Sequence, residues 1–300
     1  MAVKKKEVLF EFPNPMDNDC LIGHVDTLKS FNYAWVKRDE HPIHPVWMLC
    51  GPRGIGKATL AYKIAKSVYG NVGDFFIIDL AHNIDERGNE KPDAKMISVH
   101  TVRAMIQKMQ MSSMSGQWRV ILIDAVDELS IAAENAVLKL LEEPPAQTLF
   151  LLVTHQLSNV LPTVRSRARV EKMHPLTTNE LRELCAKFIP DEEISHEILK
   201  LANGSFGKIA NLKASGGDVI YQNLLDILKN KNSSASDIMN ISVKIASVPA
   251  LYDIALDAIA YFGLADLYPW ATKTIYDINK LNLKPDITIF KIINEIKKCL

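Results

Sequence analysis

Gly51-Pro-Arg-Gly54-Ile-Gly56-Lys57-Ala58-Thr59 follows an apolar run, Val46-Trp-Met-Leu-Cys50, and precedes a segment with Leu60, Ile64 and Val68 four residues apart. Strand, glycine-rich loop and amphipathic helix in that order are the setting of a phosphate-binding loop. Backbone N–H groups and the N-terminus of the following helix cradle phosphates there, and the lysine reaches the β- and γ-phosphates. The full pattern places serine or threonine directly after the lysine to hold magnesium; here that residue is Ala58. Thr59 does not replace it, because one helical step turns a side chain by roughly 100°. The loop is intact for binding and damaged for chemistry.

Outward from the loop, Phe75–Leu80, Arg119–Asp124, Thr148–Val153 and Arg169–Met173 read as further strands. Helices are predicted over Val99–Gln110, with Val99, Val102 and Ile106 on one side, and over Ile131–Leu141, stopped by Pro144-Pro145. His82–Lys95 is polar, with Gly88 and Pro92, and reads as a surface loop. Strands alternating with helices predict a doubly wound parallel α/β sheet with ligand at the carboxyl ends of its strands. Beyond Pro175 the pattern turns helical. Thr177-Thr-Asn-Glu180 suits a capping box opening a helix toward Phe188. Asp191–Ala202 and Lys208–Ala214 follow as helices, Gly216-Gly217 reads as a linker, and Asp218–Leu300 is apolar at helical spacing. The expected domains are 1–175, 176–216 and 217–300.

Composition narrows the function classes. Three hundred residues, 48% hydrophobic and 23% charged, suit two or three ordinary domains. Lys+Arg and Asp+Glu both number 35, so no global basic field draws the chain onto nucleic acid. Cys20, Cys50, Cys185 and Cys299 form no C-x-x-C pair, which argues against a zinc cluster or a dithiol redox site and for reduced thiols. No apolar run suits a signal peptide, and none approaches the roughly 18–20 residues of a membrane span. The expected location is cytoplasmic, with no membrane partner.

Asp124 ends the Arg119–Asp124 strand, where an acid would hold magnesium through water. A working ATPase of this class carries a glutamate directly after that aspartate, and this chain has Ala125. Glu128 lies too far along the loop to substitute; it and Asp127 are read as helix N-terminal caps. His41 and His44 have no cysteine or acid at metal spacing and read as loop residues. Lys4–Lys6 read as a solvated terminus, and the methionines of Met105–Met114 as core fillers. No paired carboxylates, Ser/His/Asp set or Cys/His set marks a hydrolase.

The order GPRGIGKA, WRVILIDAVDEL, AENAVLKLLEEPP and LPTVRSRAR resembles AAA+ clamp-loader proteins, and within them the delta-prime subunits of bacterial DNA polymerase III. The similarity runs from Leu21-Ile-Gly-His24 to Lys208, some two-thirds of the chain. Asn135–Lys139 with Glu142-Glu-Pro-Pro145 is its most specific part. The resemblance implies a RecA-like AAA+ sheet domain, a small helical lid and an all-α collar that oligomerises. It implies a part in loading the sliding clamp onto primed DNA, with gamma/tau and delta subunits as partners. Gly51, Gly54, Gly56 and Lys57, with Ala58 and Thr59, match its ATP-binding loop, and Asp124 its Walker-B acid. Thr154 matches sensor 1, Arg167 in Ser166-Arg167-Ala168 the arginine finger, and Lys208 the sensor 2 position, where arginine is usual. Arg165 and Arg169 are left as structural. Gly70–Ile97 has no cysteine where relatives carry a zinc module, so zinc is not carried over.

A strong trans-acting motif beside a degraded cis-acting site predicts a stator. Such a subunit holds ATP, if at all, without turning it over, binds magnesium poorly and lends Arg167 to a neighbour. The alternative is a functioning AAA+ ATPase, which would want Ser or Thr at position 58 and Glu at position 125. A nucleotidyl transferase is the third class, and the chain lacks the acid cluster that polymerisation needs.

Overall fold

A computed structural model describes residues 14–70, 74–91, 94–111, 118–190 and 194–300. The expectations placed on Lys4–Lys6, Pro92, Met114 and Asp191 lie outside the described residues. The chain divides into two compact units inside one helix, between Leu184 and Cys185.

The first unit is built on five parallel strands: β1 (Val46–Cys50), β2 (Phe75–Asp79), β3 (Arg119–Asp124), β4 (Thr148–Thr154) and β5 (Arg169–Lys172). Their order is β2-β3-β4-β1-β5. All five lie where the apolar runs predict them. The central strands bury both faces, which is why they read as continuous apolar runs rather than alternating ones. Val46, Met48, Ile121, Ile123, Phe150 and Leu152 share one core with Val102, Met105 and Met109 of α3 (Val99–Met111) and Val137 and Leu141 of α4 (Ile131–Glu142). Trp47, Leu49, Val120, Leu122, Leu151 and Val153 share the other with Phe31 of α1 (Val25–Val36) and Leu60, Ala61 and Ile64 of α2 (Lys57–Tyr69). Helix α1 is not foreshadowed in the sequence. Its first turn follows His24 at φ 57° with no side-chain cap, so the usual start signal is missing.

After α5 (Pro162–Arg165) and β5, the predicted capping box opens α6 (Thr178–Phe188). Glu180 Oε2 accepts from the Thr177 N–H at 2.7 Å, and the Glu180 N–H donates to Thr177 Oγ1 at 3.3 Å.

The second unit is helical. It holds α7 (His196–Ala202), α8 (Phe206–Ser215), α9 (Gly217–Lys229), α10 (Ala235–Ala246), α11 (Ile254–Phe262), α12 (Tyr268–Lys280) and α13 (Pro285–Lys298). Helix α7 opens at Ser195, whose Oγ caps it by accepting from the Ile198 N–H. Ile238, Ile241 and Ile245 of α10 and Ile289, Ile292, Ile293 and Ile296 of α13 are buried at helical spacing, and the two helices pack together. The expected linker at Gly216-Gly217 is instead a packed corner. A Cβ on Gly217 would lie 2.6 Å from Leu251 Cδ2 and 3.0 Å from Leu212 Cδ2. Lys213 and Asp218 brace the same corner at 2.6 Å. No helix among the described residues is long and apolar enough to cross a membrane.

Candidate functional site

The loop between β1 and α2 is tied into the sheet at its root. Gly51 N–H donates to Thr154 O of β4 at 3.3 Å, and Met173 N–H donates to Cys50 O at 2.7 Å. A Cβ on Gly51 would sit 2.5 Å from Met173 O, a backbone atom that cannot swing away, so this position takes only glycine. Gly56, at φ 101°, turns the loop into the first residue of α2. Gly54 is also left-handed, at φ 77°.

Lys57 opens α2 and is 3% exposed. Its Nζ donates to Gly51 O at 2.7 Å and Pro52 O at 2.6 Å, so the ammonium lies within the loop it serves. Burial lowers its pKa to about 8, against the opposing pull of Asp124 and Asp127. Ala58 follows with a methyl group packed against the apolar core, and Thr59 stands one helical step beyond it.

Asp124 ends β3, in register with Asp79 of β2 and Val153 of β4. Burial raises its pKa from 3.8 to about 6; Glu128 and Asp79 add to the rise, and Lys57 and Arg53 oppose it. The sign follows from linkage. A carboxyl raised on folding contributes stability that is complete below 3.8 and lost as pH climbs through 6, so its ionised form is a net cost at pH 8. Asp124→Asn is therefore expected to raise stability at pH 8 by about 1–2 kcal/mol. Denaturant titrations at pH 8 and pH 4 check this, the gain fading at the lower pH. Ala125 is buried, and no acid stands in the position of a water-orienting glutamate.

Asp127 and Glu128 do not cap the following helix; Ser130 does, accepting from the Ala133 N–H. Both acids reach across the site. Asp127 accepts from the backbone N–H of His155 at 3.0 Å and of Gln156 at 3.1 Å, holding the turn after β4. Glu128 pairs with Arg53 of the phosphate loop. Thr154 is fully buried, and its Oγ1 has no hydrogen-bond partner; neither has the buried Nδ1 of His155.

Arg167 stands apart from this cluster, just after α5. Its NH1 donates to Thr163 O at 2.9 Å, and its NH2 pairs with Glu142 Oε1 at 3.0 Å, with the side chain 36% exposed. Arg169, read as structural, donates to Glu171 and Ser30 and covers the Trp47 ring. Lys208 belongs to the second unit, where its Nζ pairs with Asp257 Oδ1 at 2.6 Å. His44 closes a local turn, its Nδ1 accepting from the Val46 N–H at 3.1 Å.

The structure thus gathers the loop, Lys57, Asp124 and Thr154 at one end of the sheet, and adds Arg53, Asp127, Glu128 and His155. Of the added groups, only His155 carried a usable signal: it directly follows Thr154 at a strand's carboxyl end. The residues present fit a phosphate group, with loop backbone N–H groups, a helix N-terminus and a lysine together. For magnesium they offer less, since Ala58 has no oxygen where the loop's metal ligand stands.

A parallel sheet of this order, with a glycine-rich loop after β1 and an acid ending β3, defines an AAA+-like α/β fold. A Thermotoga maritima RuvB structure shares that fold at TM-score 0.51 and 16% identity, covering 93% of this chain and 90% of that one. Residues 36–177 match the family described as DNA polymerase III, delta subunit. Over 185 residues the chain is 31% identical to DNA polymerase III subunit gamma of Buchnera aphidicola subsp. Schizaphis graminum, covering 57% of this chain and 51% of that protein. It is also 31% identical over 183 residues to DNA polymerase III subunit delta' of Pseudomonas aeruginosa, covering 53% and 52%. The matched part of the chain is therefore similar to clamp-loader subunits of DNA polymerase III. It spans about half the length of these two relatives.

Proposed function

We propose that this chain is a delta-prime-type stator of a cytoplasmic DNA polymerase III clamp loader. It holds nucleotide in its own pocket without hydrolysing it and supplies Arg167 to the site of a neighbouring gamma/tau ATPase subunit. Its other partners are the delta subunit and the sliding clamp, with primed DNA reached through the complex. In this reading 1–175 is the AAA+ base, 176–216 the lid, and 217–300 the collar that joins the neighbours. Polymerase activity resides elsewhere in the holoenzyme.

One observation carries the proposal: both groups needed for hydrolysis in cis are alanine, Ala58 and Ala125, while a half-exposed Arg167 is braced at the surface. A metal held only by Asp124 and a water with no orienting acid leave the phosphoryl transfer without its main electrostatic support. The competing reading, an ATPase subunit, draws on the equal match to a gamma subunit. Steady-state hydrolysis by the isolated chain decides between them. The expected rate is background, unchanged by Lys57→Ala; turnover abolished by Lys57→Ala would make the chain an ATPase subunit.

A further inference from the structure

A cavity of about 750 Å³ opens between α1, residues 41–44 and the start of β5. His44 precedes β1 and Arg169 begins β5, so the cavity lies at the amino ends of these parallel strands, the opposite end from Gly51 and Asp124. Lys29, Tyr33 and Lys37 stand four residues apart and form one wall. Ala34 and Ile43, which pack on the core, give the cavity an apolar floor. Tyr33 is nonetheless 72% exposed beside that floor. Lys29 and the His41 ring make no hydrogen bond or ion pair among the described residues. Lys37 is paired with Glu40 at 2.8 Å, and Arg169 with Glu171 at 2.8 Å. Asp26 also lines the cavity, in the first turn of α1, where an acid complements the helix dipole.

An exposed tyrosine between an apolar floor and an unpaired ammonium has the makeup of an interface anchor. Its ring brings large contact area, and the polar groups around it fix what lies over it. We propose that this cavity is a docking site for an acidic peptide of a partner protein. An apolar side chain of the peptide seats on Ala34 and Ile43 beside Tyr33, and its carboxylates accept from Lys29 Nζ and the His41 ring. A run of nucleic-acid phosphates fits this rim less well. Asp26, Glu40 and Glu171 stand among the cations and repel an unbroken polyanion, whereas a peptide spaces its acidic and apolar side chains. The site depends neither on nucleotide in the loop after β1 nor on Arg167.

The test pans the full chain against a displayed library of short random peptides and measures the enriched peptide by fluorescence anisotropy. The expected consensus is an apolar residue flanked by acids, bound more weakly as salt rises. Tyr33→Ala and Lys29→Glu are each expected to weaken that peptide about tenfold. Both positions are exposed, so neither substitution disturbs the core. No consensus, a basic one, or binding indifferent to both substitutions would overturn the assignment. Oligothymidylate held more tightly than the peptide, and lost in Lys29→Glu, would make the cavity a nucleic-acid site and overturn it too. A dimer in sedimentation that Tyr33→Ala dissolves would give the face to a second copy of this chain instead.

Discussion

In the stator role proposed above, Arg167→Ala assembled with gamma/tau ATPase subunits is expected to lower hydrolysis at the facing nucleotide site by about a thousandfold, the lower end of what an arginine supplied in trans is worth. The magnitude comes from charge that develops on the transferred phosphoryl group and meets a fixed guanidinium in a site short of water. On its own chain the guanidinium is already ordered. Thr163 O and Glu142 Oε1 hold its two terminal nitrogens, so little rotamer freedom is lost when a phosphate arrives. Arg167→Lys keeps the charge and loses the planar fork, and is expected to recover only a small part of the rate. The measurement is clamp-dependent ATP hydrolysis by the assembled complex, with Lys57→Ala of this chain as a control that leaves the neighbour's site intact. An unchanged rate in Arg167→Ala would end the stator's catalytic role.

The path from sequence to these residues was uneven, and the reasons are physical. Strands β1, β3 and β4 were legible because they bury both faces, so Val46–Cys50, Val120–Ile123 and Leu149–Val153 are apolar without interruption. The glycine loop was legible because its motif spacing and the left-handed turn at Gly56 are local, although what restricts Gly51 is the distant Met173 carbonyl. What escaped was set by distance. The Arg53–Glu128 pair joins residues from two crossovers, and no local pattern predicts it. Asp127 looks like a helix cap in sequence, yet its acceptors are spent on a turn after β4, which only the sheet brings near. Gly216-Gly217 shows the opposite failure. Paired glycines serve a flexible joint or a close approach equally well, and the packing of Leu212 and Leu251 decides for the second. Lys208 carries the same lesson in charge, since Asp257, 49 residues on, supplies its partner.

Trp47→Ala is expected to cost the first unit about 3–5 kcal/mol, near the top of the range for core truncations. Three elements meet on this one ring. It is fully buried in β1, just before the phosphate loop, with its Nε1 donating to His44 O at 3.0 Å. Phe31 of α1 packs edge-on at 5.1 Å between centroids, and the Arg169 guanidinium of β5 lies 4.2 Å over the ring. Arg169 in turn donates to Ser30 at 2.8 Å, so β5 and α1 are joined through the face of Trp47. The cavity left by alanine cannot collapse readily, because β1 is paired on both sides, to β4 and β5. Trp47→Phe keeps most of the volume and strands the His44 carbonyl, so its expected cost is smaller, about 1–2 kcal/mol. Urea denaturation followed by circular dichroism measures both, without relying on the fluorescence of the residue removed. A loss below about 1 kcal/mol for alanine would mean that α1 and β5 are held by contacts other than this ring. A full loss would make this ring the joint that holds α1 and β5 to β1.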